Sequence, residues 1–149
     1  MEALQKLFQD YIAYAGKLRE ETASVKSVLG LRDREIYDAG HKEFDKAVED
    51  WAEAFCQRTC SQEELLQALE VILFTAVGYE EKAPFWYLCA VQRHAVKLIP
   101  LLDDPHRTAL RIRFEEQYPG GRRLPIQKDI YRLLQKGSEK KKKGFLKFW

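Results

Sequence analysis

The stretch PFWYLCAVQRHAVKLIPLL, residues 84–102, decides how this chain is read. As one helix it places Trp86, Ala90, Arg93 and Lys97 on a single face at i, i+4, i+7 and i+11. Phe85, Leu88, Cys89, Val91, Ala95, Leu98, Ile99 and Leu102 cover almost all the rest. So wide an apolar surface needs partners on at least two sides, which makes the stretch the central helix of a bundle. Pro100, near its end, is a place for a kink or an early stop. Arg93 and Lys97 then mark the one wet edge, and Gln92 and His94 flank it as boundary residues rather than catalysts.

Working outward, the N-terminal segment repeats apolar positions at Leu4, Phe8, Tyr11, Ala15, Leu18, Thr22, Val25 and Leu29, with spacing that alternates four and three. That is the seam of a long helix packed along a partner. Gly30 suits a C-cap and Asp33 an N-cap for a second helix. Its seam is Tyr37, His41, Phe44, Val48, Trp51 and Phe55. Folding the two seams about residues 31–32 makes an antiparallel hairpin that pairs Trp51 with Tyr11, Val48 with Ala15, Phe44 with Leu18 and His41 with Thr22. The polar residues of the two seams then meet in one layer, a hydrogen-bonded pair that fixes register.

Ser61 and Glu64 match a capping box for a third helix, with Leu65, Leu66, Leu69, Ile72, Leu73, Ala76 and Val77 on its apolar face and Gly78 at its end. Asp104 followed by Pro105 opens a fifth helix carrying Leu110, Ile112, Phe114 and Tyr118. Pro125 opens a sixth, with Ile126, Ile130, Leu133 and Leu134 inward and Gly137 as its stop. Strand alternation persists nowhere, so the expectation is an all-α, irregular bundle of about six helices. Residues 1–137 form the domain, and residues 138–149 form a basic, aromatic tail.

The chain of 149 residues has enough length to bury a core without staples. Three cysteines without a CxxC argue against a disulfide framework. Gln92, Arg93, His94 and Lys97 interrupt the best apolar run, so no bilayer span is expected. Glu2, Leu4 and Lys6 read as helix rather than signal peptide, which places the protein in the cytoplasm.

The net charge of +2 conceals an asymmetry. Residues 1–104 carry 12 Lys and Arg against 19 Asp and Glu, while residues 105–149 carry 13 against 4. An acidic body with a basic end suggests an anionic partner. In the tail, Lys140, Lys141, Lys142 and Lys143 precede Phe145, Leu146, Phe148 and Trp149. Lysines near an anionic membrane contribute ~1 kcal/mol each, and aromatic rings favour its interface. These residues are therefore the candidate site for an anionic surface, with peripheral membrane contact favoured and a protein partner or self-association supplying further affinity.

Two alternatives stand beside that reading. Arg111, Arg122, Arg123, Lys128 and Arg132, on two helices joined by a glycine turn, offer nucleic-acid phosphate contacts in a helix-turn-helix-like arrangement over residues 105–136. The turn is longer than such motifs use, and pairing of these cations with the acidic body is the simpler account. The second alternative is an all-α, magnesium-dependent nucleotide hydrolase, with Glu49 and Glu53 at i, i+4 and Glu35, Asp38 and Asp50 nearby. Asp38 with His41, and Asp103 with His106, have D-x-x-H spacing, but Asp103 and Asp104 fit a helix cap better than a metal. No nucleophile motif or phosphate loop is present, so a small-molecule substrate, a resident metal and a cofactor are not expected.

Overall fold

Tyr11 of the first seam stacks on Phe44 of the second, centroids 4.4 Å apart and planes at 4°, and Phe8 meets the same ring edge-on at 5.0 Å. The computed structural model describes the backbone of residues 2–22, 32–79 and 83–146, and side chains over residues 2–17, 40–79 and 85–135. These residues are all-α, with six α-helices and no strand among them. The helices are α1 (Glu2–Thr22), α2 (Arg32–Gln57), α3 (Gln62–Phe74), α4 (Ala83–Ala90), α5 (Asp104–Gln117) and α6 (Pro125–Leu146).

Among the described residues, the seams of α1 and α2 are buried through Leu4, Phe8, Tyr11 and Ala15 on one side and Phe44, Val48 and Phe55 on the other, with His41 and Trp51 half-buried. Their register differs from the expectation by seven residues, because Phe44 stacks on Tyr11, where the expectation had Leu18. A heptad seam looks the same after a shift of one heptad, so its period cannot choose between the two registers. The described part of α1 runs to Thr22 and that of α2 starts at Arg32, and the turn between them lies outside the described residues. Asp33 therefore lies inside the first turn of α2, and Gly30 lies outside the described residues. His41 accordingly sits near Tyr87 and Tyr11, at 5.1 and 6.4 Å between ring centroids, far along α1 from Thr22. Tyr14 packs on the backbone of Gly40, where an added Cβ would lie 2.1 Å from Tyr14 Cε1. Farther along α2, Ala52 takes the buried place expected of Trp51, and Trp51 stacks half-buried on Phe55.

Ser61 caps α3, its Oγ accepting from Glu64 N at 3.1 Å, while the Glu64 carboxylate turns to Arg58 instead of closing the box. Leu65, Ala68, Leu69, Ile72 and Leu73 form the buried face of α3. After Phe74 the chain tightens into a 3-10 segment, Thr75–Tyr79, which contains Gly78.

Residues 84–102 are the centre of the bundle, but not as a single helix. After α4 the chain winds as 3-10 helix over Val91–Lys97 and again over Ile99–Leu101. Leu98, Leu101 and Leu102 donate to carbonyls three residues back. Pro100 has no N–H to extend an α-helical ladder and obstructs the carbonyl four residues before it. With three residues per turn, Val91, Gln92, His94 and Ala95 point inward while Arg93 and Val96 point out. This segment packs against α2, α3, α4 and α6. Gln92 and His94, expected at a boundary, are thus core residues, exposed by 0% and 3%.

The cap of α5 is Asp103, one residue before the expected Asp104, and its carboxylate accepts from His106 N at 3.0 Å. Phe114 and Tyr118 are buried along α5, but Ile112 is exposed. Helix α6 buries Gln127, Ile130 and Leu134, then continues as helix through Gly137 to Leu146. Gly137 therefore does not end the last helix.

Candidate functional site

Three groupings of side chains carry chemistry, and each is positioned by the central segment or by α6. The first is basic. Lys128 and Arg132 lie exposed one turn apart on α6, with Arg132 3.4 Å from Asp129 of its own helix. Arg122 is exposed in the short 3-10 turn Gly120–Arg122. Arg123 is engaged inside the fold: its Nε donates to Tyr118 O at 2.8 Å, and its guanidinium lies 4.0 Å from the Tyr131 ring centroid. Arg111 lies 4.0 Å from Glu115 in the same helix. Arg113 reaches the body, pairing with Glu70 and covering Phe74. The basic residues of α5 and α6 are thus partly neutralised, mostly by acids of their own helices. Lys140, Lys141, Lys142, Lys143 and Phe145 fall on the continuing helix α6, with side chains outside the described residues. Phe148 and Trp149 lie outside the described residues altogether.

The second grouping is an ion-paired edge. Asp45, Glu49 and Glu53 recur at i, i+4 and i+8 on α2, facing the 3-10 segment Val91–Lys97. Arg93 donates to Asp45 Oδ2, and Lys97 Nζ lies 3.3 Å from Glu53 Oε1. Between them, buried His94 places Nε2 3.0 Å from Asp45 Oδ1. The ligand atoms of Asp45, Glu49 and His94 all lie within 4.8 Å of one another. Of the carboxylates named for a hydrolase, Glu53 is held by Lys97 and Asp50 by Lys46, and only Glu49 joins this cluster. Glu35 and Asp38 have side chains outside the described residues. Asp45 escaped the sequence reading, although its i, i+4 relation to Glu49 and the run Arg93-His94 were legible signals.

The third grouping is a buried polar network. Gln92 Nε2 donates to Leu73 O and to the Tyr118 hydroxyl, both at 3.0 Å, and that hydroxyl donates to Leu73 O. Gln127 Nε2 donates to Gln92 Oε1 at 3.2 Å and approaches Cys89 Sγ at 3.6 Å. Burial pushes the Cys89 thiol up to about 12, so it is a protonated, inert core group at neutral pH. These contacts satisfy one another and explain how polar side chains occupy the core.

Asp103 and His106 form a helix cap in which the imidazole Nδ1 lies 2.6 Å from the cap carboxylate. Gln62 closes the same corner, accepting from Asp103 N at 2.9 Å and donating to Leu101 O at 3.1 Å. A cleft of about 390 Å³ opens along α1 and α2, lined among others by Asp10, Tyr11, Tyr14 and Glu43.

Comparison with protein-family models, curated proteins and solved structures finds no significant match to this chain. The described residues form an all-α bundle of six helices around a 3-10 centre. No described helix is long and apolar enough to cross a membrane.

Proposed function

We propose that this protein is a non-enzymatic helical interaction module whose basic C-terminal helix engages an anionic surface, with a membrane face as the favoured partner. The observation that carries this reading is the continuity of α6 from Pro125 to Leu146. Lys128, Arg132, Lys140, Lys141, Lys142, Lys143 and Phe145 then belong to one helix instead of a domain and a separate tail. Over its length α6 has seven Lys and Arg against two acidic residues. Among its described side chains, which run to residue 135, Gln127, Ile130 and Leu134 are buried in the core. A helix anchored at one end in a core and basic beyond it suits attachment to anionic lipid, where each lysine contributes ~1 kcal/mol. Phe145, Phe148 and Trp149 supply the apolar component that lipid rewards and duplex phosphate does not.

Engagement of Arg123 within the fold and the seven-residue connection between α5 and α6 both count against a helix-turn-helix use of residues 105–136. The test is co-sedimentation with phosphatidylserine-containing vesicles at about 0.1 M salt, comparing the full chain with one ending at Gly137. The full chain should pellet with anionic vesicles and not with neutral ones, and the shortened chain should stay in solution. Equal sedimentation of both chains would remove the membrane reading. Retention of both chains on duplex DNA at low salt would favour residues 105–136 instead.

A further inference from the structure

We infer that Asp45, Glu49 and His94 form a binding site for one divalent transition-metal cation, an inference that goes beyond the anionic-surface reading and does not depend on it. Three observations converge on it. The ligand atoms come from two elements packed against each other, α2 and the 3-10 segment Val91–Lys97, and lie within 4.8 Å of one another. The imidazole is buried, with 4% of its side chain exposed, so its position is set by the core and not by solvent. Along the carboxylate row, Asp45 is neutralised by Arg93 and Glu53 by Lys97. Among the described residues no Lys or Arg pairs with Glu49, the carboxylate between them. Lys46 acts on Glu49 through space while bonded to Asp50, so Glu49 is the carboxylate of the row with no direct ion pair among the described residues, and it lies within 4.8 Å of a His94 ring nitrogen.

The chemistry of the donor set selects the cation. Two carboxylate oxygens and one imidazole nitrogen suit zinc or a neighbouring first-row ion better than magnesium or calcium, which favour oxygen alone. Bonds of about 2.0–2.1 Å in a tetrahedral site put ligand atoms about 3.3 Å apart. The 3.0 Å separation of His94 Nε2 and Asp45 Oδ1 has to open by only a few tenths of an ångström. A metal on Asp45 Oδ1 leaves Oδ2 with Arg93, which would then orient the ligating carboxylate from outside the site. Three protein ligands leave a fourth position open to solvent.

The experiment is a Zn²⁺ titration of the full chain by calorimetry in a Cys56→Ser, Cys60→Ser background, which removes the two thiols accessible to the metal. Co²⁺ absorption serves as a second probe of tetrahedral geometry. One Zn²⁺ should bind per chain. Glu49→Gln should weaken binding at least about tenfold, whereas Glu53→Gln, one turn away, should leave it unchanged. Among the described residues Glu49 makes no ion pair, so its variant should keep the structure even where a His94 variant would not. Absence of saturable binding below about 100 μM Zn²⁺, or binding indifferent to Glu49→Gln, would overturn the inference.

Discussion

Gln127 of α6 donates to Gln92 of the central segment at 3.2 Å, and through Gln92 to Tyr118 and Leu73 it ties three helices to the middle of the bundle. Gln127 also accepts from Leu124 N at 3.0 Å, which holds the start of its own helix. Replacing it with leucine leaves the Gln92 carbonyl and the Leu124 N–H without these partners, and each orphaned buried group costs about 1–3 kcal/mol. Urea denaturation of Gln127→Leu should therefore show a loss of about 2 kcal/mol or more. In the double variant with Gln92→Leu the losses should fall short of additive, because the two residues share one network.

Gly40 provides the sharpest test of the α1–α2 register. Alanine in place of a glycine inside a helix ordinarily stabilises by about 0.5–1 kcal/mol. Here the new methyl group would collide with the Tyr14 ring, 2.1 Å from Cε1. Gly40→Ala alone should therefore destabilise, or at best fail to stabilise. In a Tyr14→Ala background the same change should recover the ordinary gain. Identical effects in both backgrounds, measured by chemical denaturation, would show that Tyr14 does not pack on Gly40.

Asp103 gives a pH dependence with a definite sign. The backbone N–H of His106, followed by its side chain, holds the Asp103 carboxyl below the usual carboxylate range. A carboxyl depressed in the folded state adds stability that is complete above its unfolded value, about 3.9, and is lost as pH falls through the folded value. The urea midpoint should thus drop less steeply below about pH 4 in Asp103→Asn, whose amide oxygen still caps the helix. Parallel curves for the two proteins would contradict this role.

Much of the fold was legible in sequence because it rests on local signals. The alternating spacing of Leu4, Phe8, Tyr11 and Ala15, the Ser61 cap and the apolar face of α3 all identify helices and their inner sides. Register was not legible, since a heptad seam repeats and the contact of Tyr14 with Gly40 is a relation between distant residues. The 3-10 winding of residues 91–97 escaped for a different reason: apolar residues cover most of that stretch, so a period of three and one of 3.6 bury similar sets. Only burial of Gln92 and His94 separates them, and polar residues bias a sequence reader toward the surface. Gly137 misled in the opposite direction. One glycine costs a helix about 1 kcal/mol, which the good helix formers Leu133, Leu134, Gln135, Lys136, Glu139 and Lys140 around it can offset. At the ion-paired edge, Glu49 was visible as one of an i, i+4 pair, but its neighbours there depend on how the 3-10 segment lies across α2.

The central claim is that the C-terminal end of α6 and the residues beyond it meet an anionic lipid surface. Trp149 is its most direct reporter. In a Trp51→Phe, Trp86→Phe chain it is the sole tryptophan, and its emission can be followed as phosphatidylserine-containing vesicles are added. A blue shift with anionic vesicles that is reversed by salt and absent with neutral vesicles is the result predicted, since indole at the interface leaves bulk water. Emission that stays fixed throughout the titration would contradict the account.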